Sequence, residues 1–172
     1  AVELGQQGIY VWAMIDRGAN CWTGPLDFSR YATRSRSSTA TVGSQGKGQA
    51  TRIKAVHEIE CMSFTNGESV RVPKYYESSD SRMTLVDEER LCQEHGIWIY
   101  TPESLLVFPN GNTLRLHRGS DNRLYLRFFV PVVNEAIEAK YEESQYRQLD
   151  APGSLPPALA MVPTNGEAKP DP

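Results

Sequence analysis

The feature that most limits what this chain can fold into is Asn66-Gly67, set between "HEIECMSF" and "ESVRVP". Both flanks alternate apolar and polar residues, the period of a half-buried strand. Asn-Gly is the pair that most readily takes the left-handed conformations of a tight hairpin turn. The same punctuation recurs at Thr101-Pro102, Asn110-Gly111 and Gly119–Asn122, which cut residues 97–131 into segments too short for anything but strands. Upstream, "GIYVWAMID" (8–16) is β-branched and aromatic and reads as one more strand. "RYATRSRSSTA" (30–40) reads as a solvated loop or edge strand, and the glycines at 43, 46 and 48 mark a mobile hairpin tip.

Two segments depart from this pattern. Asp87 is placed to cap a helix over 88–95, with Gly96 to end it and Leu91 and Cys92 as its small apolar side. "NEAIEAKYEESQYRQL" (134–149) has helical composition, with Asn134 as cap and Ala136, Ile137 and Tyr141 as a stripe. Residues 150–172 are proline-rich and read as a disordered tail or linker. The expectation is a mainly β protein, a closed barrel or sandwich with one short helix over 1–130, a helical segment at 131–149, then the tail.

Composition narrows the functional classes. A net charge of −3 argues against nucleic acid as a partner of this domain. No apolar run approaches the roughly 20 residues that span a bilayer, so no membrane partner is expected. Three scattered cysteines, Cys21, Cys61 and Cys92, do not form a disulfide framework, which favours reduced thiols and an intracellular, cytoplasmic place.

The candidate chemistry begins at "WAMIDRGANCWTGP" (12–25). A strand delivers Asp16 into a turn, and Gly18 and Ala19 let the backbone pass close to a neighbour. The plain alternative is an aspartate that forms a turn at a strand end. Downstream come the glycine-rich tip, the Asn-Gly hairpin and "VRVPKYYESSDSRMTLVDEERLCQEHGI" (70–97). In this order of segments, and in the spacing of Val72, Pro73, Leu85, Val86, Leu91 and Gly96, residues 8–130 resemble the retropepsin-like aspartic proteases of Ty1/copia retrotransposons.

That resemblance implies an aspartic endopeptidase that cuts its own polyprotein as a homodimer, each chain giving one catalytic Asp16 to a shared dyad. It implies an active-site turn of Arg17, Gly18 and Ala19, with Leu85 and Val86 as the core beneath it. Gly43, Ser44, Gln45, Gly46, Lys47 and Gly48 would be a flap over a peptide substrate. It implies no metal and no cofactor, and a place within virus-like particles. Arg17 departs from the family, which has Ser or Thr there. Two guanidinium groups near a dimer axis would favour ionisation of both aspartates and oppose the one-proton state the chemistry needs. The alternative reading is therefore a catalytically impaired retropepsin-like fold serving as a dimerisation or protein-binding module.

Other motifs carry less. "GSQGKG" lacks the Gly-Lys-Ser/Thr ending of a phosphate loop. His57 with Cys61, and Cys92 with His95, lack a second pair of zinc-type spacing and read as core cysteines and surface histidines. Arg30, Arg34 and Arg36 around Tyr31 read as a solvated loop rather than a nucleic-acid patch.

Overall fold

A computed structural model describes residues 6–43 and 50–139. The strands are β1 (Gly8–Asp16), β2 (Trp22–Gly24), β3 (Arg34–Ser37), β4 (Thr41–Gly43), β5 (Ala50–Arg52), β6 (Ala55–Phe64), β7 (Ser69–Glu77), β8 (Thr84–Asp87), β9 (Trp98–Tyr100), β10 (Leu105–Val107), β11 (Thr113–Arg115), β12 (His117–Arg118) and β13 (Leu124–Pro131). One helix, α1 (Glu88–His95), follows β8. The main sheet runs β12-β13-β1-β8-β2-β7-β6-β3, and β13 pairs again with β6. That second pairing closes six strands into a barrel and leaves β3 and β12 as two extra strands. β9, β10 and β11 form a small separate sheet, and β4 and β5 a hairpin.

The barrel follows from the strand patterns. β1 is buried along nearly its whole length because both of its faces are covered. Ile9, Val11, Ala13 and Ile15 belong to the core cluster, with Phe64, Val72, Tyr75, Val86 and Phe128 from the strands around it. On the opposite face the guanidinium of Arg127 stacks 4.6 Å from the centroid of Tyr10 and 5.9 Å from that of Trp12. A continuous apolar run, rather than a strict alternation, is what such a two-sided strand requires.

The Asn-Gly turns do as the sequence predicts. Gly67 and Gly111 have φ of 91° and 89°, values that glycine adopts without strain. The two turns are stitched together: Glu68 Oε2 accepts from Asn110 Nδ2 at 2.9 Å and Asn112 Nδ2 at 2.6 Å. These bonds favour the carboxylate and hold the Glu68 pKa below the usual range. Phe64 packs edge-on against Phe108 at 5.0 Å, so the small sheet rests on the barrel through an apolar contact under this polar stitch.

α1 has the predicted ends. Asp87 Oδ1 accepts from the backbone N–H of Glu89 and of Arg90, and Gly96 closes the helix at φ 66°. Within the arginine-rich segment, residues 34–37 are the edge strand β3, fully exposed along its length, but Tyr31 and Ala32 are buried in the core, so its start is not a solvated loop. One element differs. Residues 134–139 form a turn, not the start of a helix: Ile137 N–H donates to the Asn134 carbonyl at 3.2 Å. Val133 and Asn134 N–H both donate to the Arg30 carbonyl, so tertiary bonding holds this segment against the barrel. Residues 140–149 and the proline-rich segment 150–172 lie outside the described residues.

The cap at Asp87 gives a direct test. Asp87→Ala is expected to lower stability by about 1 kcal/mol or more, from loss of the cap, with Asp87→Asn costing less because an acceptor remains. Paired thermal melts measure both. Equal losses would mean that the cap contributes nothing beyond the aspartate charge.

Candidate functional site

The Asp16 turn is built as the sequence suggests, but its chemistry differs. β1 pairs in parallel with β8, so Ile15 lies opposite Val86 and Asp16 opposite Asp87. Val86 is fully buried and Leu85 half-buried, and both brace the strand that carries Asp16. Asp16 Oδ1 accepts from Gly18 N–H at 2.8 Å, an aspartate turn closed on itself. Asp87, level with it across the sheet, spends its carboxylate on the α1 cap and on Arg90, whose Nε is 3.3 Å from Oδ2. Arg17 turns outward. Its Nε pairs with Glu88 Oε1 at 2.8 Å and its Nη2 donates to Thr101 Oγ1 at 3.3 Å. With the Arg17 side chain 64% exposed, that pair contributes little to stability. Beside the turn opens a cleft of about 480 Å³, lined among others by Asp16, Arg17, Thr101, Arg118 and Arg123.

A second cluster of titratable groups, centred on a buried histidine, lies elsewhere in the barrel. Asp27, His57 and Glu77 have ligand atoms that all lie within 4.8 Å of one another. Strand register explains the cluster. Ser35 on β3 lies opposite His57 on β6, and His57 lies opposite Tyr75 on β7. Glu77 is two residues beyond Tyr75 and so shares its face. Asp27 comes from the loop after β2, where its Oδ1 accepts from the N–H and hydroxyl of Ser29 at 2.9 and 2.7 Å. His57 Nε2 lies 2.9 Å from Glu77 Oε1 and 3.9 Å from Asp27 Oδ1, while Nδ1 lies 2.6 Å from Ser35 Oγ. The His57 side chain is 1% exposed and those of Glu77 and Asp27 10% and 22%. Imidazole and two carboxylates are a donor set able to coordinate a metal ion.

This arrangement overturns the aspartic-endopeptidase reading. That chemistry needs two aspartates close enough to share one proton. The candidate catalytic cluster among the described residues is instead an Asp-His-Glu triad, and Asp16 does not belong to it. The protease, hydrolase and polyprotein-processing assignments that rest on an Asp16 dyad fall with it. The histidine assignment also needs correction: His57 is a core residue, brought to two carboxylates rather than to Cys61. Of the expected flap, Gly43 ends β4 and faces Ala50 of β5, while Ser44, Gln45, Gly46, Lys47 and Gly48 lie outside the described residues. Asp27 and Glu77 gave no signal in the sequence, because nothing in linear spacing joins positions 27, 57 and 77.

Comparisons with protein-family models, curated proteins and solved structures gave no match.

The expected core setting of Cys61 and Cys92 does not hold, and on α1 Leu91 alone is buried. Cys21 is buried, Cys61 intermediate and Cys92 exposed on α1. Burial first, and then the nearby Asp87 charge, push the Cys21 thiol pKa up. Because the thiolate is the reacting form, alkylation of the folded protein at about pH 8 should label Cys92 first and leave Cys21 last. Peptide mapping over time checks this order. Early labelling of Cys21 would mean that the start of β2 opens readily.

Proposed function

We propose that this domain is a non-catalytic protein-binding module, a retropepsin-like barrel whose cleft beside Asp16 holds an acidic peptide segment without cutting it. The observation that carries this reading is the ring of arginines on that cleft. Arg17, Arg118 and Arg123 line it against the single carboxylate of Asp16, in a chain whose overall charge is negative. Some donors of each guanidinium are already held: Arg17 by Glu88 and Thr101, Arg118 by Ser104 and Asn122, Arg123 by Met14 Sδ at 3.6 Å. Such bonds orient the forks and leave further donors for a carboxylate. A cleft whose lining holds three arginines to one aspartate favours partners of negative charge. The peptide partner implied by the resemblance to Ty1/copia proteases is retained as a ligand, while the cleavage chemistry is not.

Fluorescence anisotropy with a labelled Asp/Glu-rich extended peptide tests this. The expected result is saturable binding that weakens as salt rises, with Arg17→Ala and Arg123→Ala each raising Kd about tenfold, equal to about 1.4 kcal/mol. Mass spectrometry should find the peptide intact. Equal binding of a Lys-rich peptide, or no effect of either substitution, would overturn the reading.

A dimer is a second reading, favoured by one exposed edge. Trp98 and Tyr100 lie two residues apart on β9, 48% and 41% exposed, with ring centroids 6.3 Å apart. β9 pairs on one side with β10 and ends its sheet. Exposed aromatics on an unpaired strand edge favour strand-to-strand association. Sedimentation at tens of micromolar should show a dimer that Trp98→Ser/Tyr100→Ser dissociates. A monomer at every concentration removes this reading without touching the first.

A further inference from the structure

We propose that Asp27, His57 and Glu77 form a binding site for one first-row divalent metal ion, best matched by Zn2+. The site is separate from the arginine-lined cleft and independent of what that cleft binds. Three different elements converge on it: the loop after β2, the middle of the β3-β6-β7 ladder, and the end of β7. Neither carboxylate is sequence-adjacent to the histidine, so local chain geometry does not account for their meeting.

The geometry suits an ion of this class. Zinc bonds to imidazole nitrogen and carboxylate oxygen are about 2.0–2.2 Å, so tetrahedral ligand atoms sit roughly 3.3 Å apart. The observed 2.9 Å between His57 Nε2 and Glu77 Oε1, and 3.9 Å between His57 Nε2 and Asp27 Oδ1, bracket that spacing. Small side-chain movements bring both to it. Ser35 Oγ at 2.6 Å from Nδ1 is the outer partner that a ligating histidine commonly has. With Nδ1–H donating to Ser35 Oγ, Nε2 presents its lone pair to the ion.

Charge and surroundings point the same way. Two carboxyl groups lie close together, and Lys54 Nζ is 4.0 Å from Glu77 Oε2. A divalent ion suits a pair of carboxylate ligands. Phe28 stands edge-on to the His57 ring at 6.5 Å and to Tyr75 at 4.6 Å, giving the site an apolar wall that fixes the imidazole plane. The partial exposure of Asp27 leaves a path for entry and room for a water as fourth ligand. Imidazole with two carboxylates favours zinc over magnesium, which prefers oxygen ligands alone.

The test uses the full chain carrying Cys61→Ser and Cys92→Ser, so that accessible thiols do not compete for the ion. Zn2+ or Co2+ is added to apo protein, the excess is removed by desalting, and retained metal is measured by atomic emission. The expected result is one ion per chain, a rise in Tm with Zn2+ but not Mg2+, and a visible Co2+ spectrum of low-symmetry coordination. Asp27→Asn and Glu77→Gln keep the side-chain shapes and should each weaken Zn2+ affinity at least tenfold. His57→Gln should abolish retention. If His57→Gln fails to fold, the two carboxylate variants decide the matter. Metal-free protein after desalting, or undiminished affinity in both Asp27→Asn and Glu77→Gln, would overturn the site.

Discussion

Closure of the barrel depends on a short ladder between β13 and β6. Phe128 lies opposite Phe64 and Phe129 opposite Ser63. The Phe128 ring packs on Phe64 at 4.9 Å and reaches Trp22 at 5.9 Å, so one side chain ties three strands together. A sheet edge exposes a row of backbone donors and acceptors, and the β13–β6 pairing leaves the edges of the main sheet to the short strands β3 and β12. Everything described at either end of the barrel presupposes this contact. Asp16 keeps its place because β1 is held between β13 and β8, and His57 keeps its place because β6 is held between β7 and β3.

The two charged groups sit toward opposite ends of the short strand β8. Asp16 is level with Asp87, its last residue. Glu77 pairs with Gly24, whose backbone lies against Thr84, its first residue. The Tyr75 hydroxyl bonds to Thr84 Oγ1 at 3.0 Å and fills the place where a side chain at position 24 would begin. A glycine is thus required where β2 passes this network. The packing at that crossing separates the arginine-lined cleft from the Asp-His-Glu cluster.

Much of the fold was legible because its signals are local. Asn66-Gly67 and Asn110-Gly111 impose turns through the backbone preferences of two adjacent residues. Asp87 and Gly96 mark helix ends through bonds that span only a few residues. The segment at 134–139 misled because its helical composition is a weak preference, outweighed by two backbone bonds to Arg30. The site was harder to read for a related reason. Asp16 announced itself by standing at the end of an apolar strand, which is a local signal, yet its carboxylate is used by its own turn. Asp27, His57 and Glu77 meet only through the register of three strands and the path of a loop, and no linear spacing encodes that. Arg17 was the informative local exception: a residue poorly suited to a proton-sharing dyad pairs outward with Glu88.

The pairing of Gly8 with Pro131 has a consequence beyond the barrel itself. Two residues opposed in an antiparallel ladder have Cα atoms about 5 Å apart. The barrel ladder is therefore entered and left at nearly the same point, like a bead tied into a cord by both ends. A longer polypeptide could carry it between two of its own segments while separating them by little more than the width of a strand pair. Tension applied at those two ends would load the β1–β13 ladder across its hydrogen bonds, and these would break in succession from the open end. The same joint that makes the domain easy to insert would make it the first element to give way under a pull.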